Sequence, residues 1–161
     1  LCGKILSLIS QCRNSRNFTT KHFKEVLKMF EYLRNEDGTN VPVCKEVKTT
    51  AASYEVGDAL VFDASTGLLK VCAGTTKPQY ISAAKKTVTA GDSLLPVYPV
   101  FAGQEYKTQF SDDASAVKVG SAVTIDSTGK KVTATTTSGV FTIIEKLGSG
   151  AAGTEVIGKF M

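Results

Sequence analysis

Two acidic loops invite a chemical reading first. Asp63-Ala64-Ser65-Thr66-Gly67 and Asp126-Ser127-Thr128-Gly129 each follow an apolar run, one in either half of the chain. Two carboxylates contributed by similar halves can share one proton and act as an acid–base pair. The tight loop that presents such a pair needs its glycine two residues after the aspartate, and here glycine follows four residues after Asp63 and three after Asp126. An aspartate at a strand end, capping the backbone of the next hairpin, accounts for both copies and for their unequal lengths.

The remaining candidates are weaker. Gly148-Ser149-Gly150-Ala151-Ala152-Gly153 spells the dinucleotide fingerprint after a good strand, but the few residues that follow leave no room for the helix and second strand it needs. It reads as a hairpin loop. The one histidine, His22, stands alone, which removes His-dependent nucleophilic triads and nearly every His-based metal site. Cys2, Cys12, Cys44 and Cys72 fall at unrelated spacings without a C-x-x-C, so free thiols are expected rather than a zinc site or a disulfide framework. Asp112, Asp113, Glu105, Glu145 and Glu155 supply carboxylates without any spacing that pairs them, so solvated charges are the expectation. No catalytic residue, metal or cofactor is expected.

What must position all of these is a stretch that occurs twice. Val56-Gly57-Asp58-Ala59-Leu60-Val61-Phe62-Asp63 returns as Val119-Gly120-Ser121-Ala122-Val123-Thr124-Ile125-Asp126, 63 residues later. Gly67-Leu68-Leu69-Lys70-Val71 then answers to Gly129-Lys130-Lys131-Val132, Tyr80–Lys86 to Val140–Lys146, and Ala90-Gly91-Asp92-Ser93 to Ala152-Gly153-Thr154-Glu155. Strands are predicted at 58–63, 68–72, 79–85 and 93–101, again at 121–126, 130–135, 140–146 and 154–160, with one more at 103–110 between the units. Pro96 and Pro99 place their strand at an edge or a bulge. The fold class is all-β: a single β-barrel or sandwich built from two related β-units, spanning residues 54–161 with units at 54–101 and 117–161.

The N-terminal third differs in character. Residues 1–28 hold six basic residues against one acidic residue, while the rest of the chain is close to neutral. No nucleic-acid groove or anionic-membrane surface is expected in the β-region, and Ile5–Ile9 is too short for a membrane span or signal peptide. Phe23, Leu27 and Phe30 fall at helical spacing, so residues 20–34 read as an amphipathic helix. A competing expectation makes Met29 the true start and 1–28 a translated leader, because Lys24-Glu25-Val26 can be encoded by a purine-rich ribosome-binding site. Residues 29–53 read as an N-terminal arm. Its centre, Asn40, Val41, Pro42, Val43, Cys44, Lys45, Glu46 and Val47, forms an edge strand or extended arm, with Pro42 barring a central position.

The alternation of Gly57–Val61 with Gly67–Val71, then Tyr80–Ala84 and Ala90–Val97, repeated as Ser138–Lys146 and Gly150–Val156, resembles the small β-barrel decoration, or cement, proteins of tailed-bacteriophage heads. The resemblance covers residues 54–161. It implies a non-enzymatic virion protein on the capsid exterior, assembled in the bacterial cytoplasm as a homo-oligomer, often trimeric. It further implies an N-terminal arm that pairs with the major capsid protein; Asn40–Val47 is the matching segment. Deleting Asn35–Ser53 is then expected to leave a folded barrel that no longer binds capsids. A receptor- or carbohydrate-binding module of a tail fibre or cell surface is the alternative, separable by a glycan array, and a carboxylate hydrolase is third.

Overall fold

The computed structural model describes residues 29–36, 43–89 and 93–161. Within them the β-branched and aromatic runs become strands, while Gly, Asp and Ser become the turns between them. In order the strands are β1 (Glu31–Asn35), β2 (Lys45–Thr49), β3 (Ala52–Tyr54), β4 (Ala59–Phe62), β5 (Leu69–Val71) and β6 (Tyr80–Ser82). They continue as β7 (Lys86–Val88), β8 (Ser93–Pro99), β9 (Gln104–Gln109), β10 (Ala122–Val123), β11 (Phe141–Lys146) and β12 (Glu155–Phe160). The described residues contain no helix, and the protein is all-β.

Strands β2, β5, β4, β6 and β8 close into a barrel. Its interior is filled by Leu60, Leu69, Leu95 and Val97, with Tyr54 beside them, all fully buried. Strands β3 and β7 form a separate two-stranded ladder. In the second half the sheet runs β1-β9-β12-β11-β10. Single bridges from Phe110 to Val132 and from Val132 to Ile125 carry the pairing from the end of β9 round to the residues after β10, so this half also curls into a ring. The two halves share a core: Ala59, Cys72 and Ile81 from the first pack with Val123, Ile125, Val132, Phe141 and Val156 from the second. At the seam the Ala59 N–H donates to the Gly129 carbonyl at 2.8 Å. A Cβ on Gly129 would stand 2.5 Å from Val71 Cγ1 and 2.9 Å from the Cys72 carbonyl oxygen, so only glycine allows this approach.

The same backbone hydrogen bonds recur in both halves. Gly57 N–H donates to Ser82 and Gly120 N–H to Ile143, both at 2.8 Å; Ser82 N–H returns to Asp58 and Ile143 N–H to Ser121, both at 2.9 Å. Gln79 N–H meets the Leu60 carbonyl as Val140 N–H meets that of Val123, and Val100 N–H meets Gln79 as Met161 N–H meets Val140. These pairs equate Tyr80 with Phe141, one residue away from the Val140 that sequence matching selects. The correspondence also begins earlier than residue 54. The parallel contact Thr49–Leu69 matches Phe110–Val132, and Thr50 N–H donates to Leu69 as Ser111 N–H donates to Val132. Strand β2 is therefore the counterpart of β9, with Lys45 in the place of Tyr106.

Other sequence expectations are corrected, among them the strand over 130–135, which forms only isolated bridges at Val132. The helix over 20–34 is contradicted where it is described, because Glu31–Asn35 is a strand paired antiparallel with β9; residues 20–28, and the leader question over 1–28, lie outside the described residues. Phe30 and Tyr32 fit a two-residue period as well as a helical one, and the edge of β9 decides between them. Strand β8 is a stave of the barrel, not an edge. Its prolines are tolerated because each lies where one neighbour has stopped: Pro96 is paired with β2 only and Pro99 with β6 only. The Pro96 carbonyl accepts from Ala83 N–H on the β6 side, so its missing N–H also falls on that side, beyond the last residue of β6.

Candidate functional site

Two neighbouring features of the first barrel, the start of β2 and the rim beside it, expose groups that can recognise a partner. Lys45 lies opposite Val97 in the ladder and so turns toward the inner side of the barrel at its rim. Phe62, the last residue of β4, stands edge-on to Tyr80 with ring centroids 5.7 Å apart. The loop before β6 brings Lys77, Pro78 and Gln79, whose Oε1 accepts from the Phe62 N–H at 3.0 Å. Beyond β8, Phe101 is 57% exposed. Together these residues line an open cavity of about 460 Å³ without one acidic side chain. Neither Lys45 nor Lys77 forms an ion pair among the described residues.

The residues expected to form the arm are divided. Asn40, Val41 and Pro42 lie outside the described residues. Val43 is 76% exposed and, with Cys44, leads into β2. Lys45, Glu46 and Val47 are not a free arm: they pair in unbroken register with Val97, Pro96 and Leu95 of β8. Val47 packs toward the barrel interior, which is why the segment docks. On its other side β2 meets β5 at Thr49 alone, so among the described residues no strand lies along the second edge of Lys45–Val47. Deleting Asn35–Ser53 removes a stave, so the structure leads to the opposite expectation, loss of the barrel.

The carboxylates remain local. Asp63 accepts from the Ser65 hydroxyl, Lys70 and the Ser65 N–H, which together hold its carboxyl well below the usual range. Asp126 accepts from Lys130 N–H, Lys131 N–H and the Thr128 hydroxyl. Each aspartate thus caps its own hairpin. Asp112 accepts from Ala134 N–H, and Asp113 from Ser115 N–H, a bond that lowers its pKa. Glu105 pairs with Arg34 and Glu155 with Lys107, while Glu145 is exposed. The Gly148–Gly153 loop joins β11 to β12, and Gly150 accepts from Ala114 N–H. One acid is unusual: Asp58, 1% exposed, is pushed up to about 6 by burial, against the opposing pull of the Glu55 N–H and Lys130. Neither Cys44 nor Cys72 is in a disulfide, and burial raises Cys72 to about 11.

Among the described residues no three His, Cys, Asp or Glu side chains gather to hold a metal, and no helix is long and apolar enough to cross a membrane. The aromatic rim was the part hidden from sequence. Phe62, Tyr80 and Phe101 sit in or beside predicted strands, where core packing is the usual fate of an aromatic residue. The run Lys77-Pro78 in a loop, with Phe101 just after a proline-ended strand, was the available signal. No protein-family model matches the chain, and no curated protein matches it either.

Proposed function

We propose that this is a structural protein of a phage particle that binds the outer surface of the capsid and stabilises the shell, its N-terminal segment pairing with the major capsid protein. The observation that carries this reading is the second edge of β2, where the ladder with β5 is limited to Thr49 and the backbone of Lys45–Val47 has no neighbouring described strand. Such an edge takes a partner strand through main-chain hydrogen bonds, and a binding role of this kind needs no active site. A protein that binds the assembled lattice but not its dissociated subunits stabilises the shell by mass action. On this reading it works as a homo-oligomer, trimeric around the symmetry axes of the shell.

The test is quantitative peptide mass spectrometry of purified particles from the source, together with co-sedimentation of the full chain with expanded capsids. Copy number comparable to the shell protein, and saturable binding to capsids, are expected. A handful of copies per particle and no co-sedimentation would overturn the proposal in favour of a fibre or cell-surface module.

A further inference from the structure

The hydrogen-bond correspondence between the halves equates two places that look quite different. At the rim of the second ring, the counterparts of Tyr80, Pro99 and Lys45 are Phe141, Phe160 and Tyr106. That rim is covered by the chain's own N-terminal segment. Phe30 is 2% exposed, with its ring centroid 5.6 Å from Phe141 and 5.0 Å from Phe160. Strand β1 follows it directly and pairs with β9 through Glu31–Lys107 and Tyr32–Tyr106. One short extended segment therefore does two things there: it plugs the rim with an aromatic ring and adds a strand to β9.

In the first barrel the corresponding rim is the open cavity lined by Lys45, Phe62, Lys77, Tyr80, Pro99 and Phe101. The corresponding edge is that of β2, with Lys45 and Glu46 in the places of Tyr106 and Lys107. The chain's own β1 is already committed to the second ring. We propose that the first barrel takes an equivalent segment from another protein: an extended strand that adds to β2 at Lys45–Glu46 and inserts an aromatic side chain between Tyr80, Pro99 and Phe62. Charge selects its flanks. The second rim has an apolar ring at Tyr106 where the first has the Lys45 ammonium, and Lys77 adds a second cation with no acid in the lining. The incoming aromatic residue is therefore flanked by carboxylates, as Phe30 is followed by Glu31 in the segment that fills the other site. The inference rests on reading the edge of β2 as a pairing surface, not on whether the partner is a capsid.

The probe is a fluorescein-labelled peptide with the sequence of residues 29–36, Met-Phe-Glu-Tyr-Leu-Arg-Asn-Glu, titrated by anisotropy against the intact chain. Saturable binding is expected, weakened about tenfold or more in the double variant Lys45→Glu/Lys77→Glu and in a peptide with alanine for its phenylalanine. Hydrogen exchange should show new protection at Glu46, whose N–H is directed at this edge, and no change at Lys45 and Val47, whose N–H groups already face β8. Absence of binding at millimolar peptide, equal binding by the double variant, or protection confined to Gln104–Lys107 would overturn the proposal, the last because the peptide would then be replacing β1. Concentration-dependent dimerisation without peptide, protecting the same β2 edge, would also overturn it by making the occupant a second copy. Since both rims are read by peptide alone, success here with failed capsid co-sedimentation would reject only the capsid reading.

Discussion

Asp58 is a carboxylate held 1% exposed. Asp58 Oδ2 accepts from the Glu55 N–H at 2.8 Å, whereas Oδ1 has no hydrogen-bond partner and faces Lys130 Nζ at 3.9 Å. Burial raises its pKa from 3.8 to about 6, so the folded state holds this proton more tightly than the unfolded state. The associated stability is fully present below pH 3.8 and is lost as pH rises through about 6. Asp58→Asn keeps an acceptor for Glu55 and removes the buried charge. Urea titrations from pH 4 to 7 should show the variant gaining on the parent as pH rises, by no more than about 3 kcal/mol at neutrality. A difference that is constant with pH would show that Asp58 does not titrate in this range.

Two glycines with similar backbones separate strain from crowding. Gly120 has φ +87° and open space where a methyl group would go, whereas Gly129 has φ +71° with Val71 and the Cys72 carbonyl in the way. Gly120→Ala should cost about 1 kcal/mol, the left-handed backbone penalty alone. Gly129→Ala should cost about 3 kcal/mol or more, because the seam between the two halves must open to admit a methyl group. Equal losses in chemical denaturation would mean that the seam yields easily. Both aspartates of the repeated turns were readable as caps from sequence, because the backbone N–H groups that their carboxylates accept from lie two to five positions on.

At the scale of elements, β2 and β1 were the hardest to place. A short run such as Lys45-Glu46-Val47-Lys48-Thr49 carries only Val47 as an apolar signal, and its place in the barrel depends on β8, nearly fifty residues away. Its resemblance to β9 is not visible residue by residue, since Lys45 stands for Tyr106 and Thr49 for Phe110. The pairing shows it. Deleting Asn35–Ser53 removes β2 and most of β3 and should abolish the cooperative fold, measured as loss of the far-ultraviolet β signal and of any sharp melting transition. A truncated chain that melts cooperatively would restore the arm as a separable element. The edge of β2 that no described strand covers carries charged residues that natural edge strands use against indiscriminate pairing, Lys45 and Glu46 among them.

At the scale of the molecule, the two halves resemble independent barrels in their ladders but not in their packing. Ala59, Cys72 and Ile81 are buried against the second half, and Gly74 and Ile125 exchange two backbone hydrogen bonds across the seam. Phe30 ties the N-terminal segment into the same core, its N–H donating to the Gly57 carbonyl at 3.1 Å. Urea unfolding followed by tyrosine fluorescence and by circular dichroism should therefore give one coincident transition. Two resolved transitions would assign the halves separate stabilities. The apolar faces of the two units are spent on each other, which leaves the rim of the first barrel as a place where aromatic side chains meet solvent.

Sequence alone determined the all-β class, most of the strands after Tyr54, the capping role of Asp63 and Asp126, and the existence of two related units. These follow from local rules: β-branched alternation, turn chemistry and a repeat whose glycines recur at offsets of 62 or 63 residues. It took long-range pairing to make Glu31–Asn35 a strand and β2 a stave of the first barrel, to set Tyr80 against Phe141, and to plug one rim with Phe30 while no described residue plugs the other. Each of these depends on a pairing between residues distant in the chain, where the energy lies in register and burial and no short window of residues records the choice.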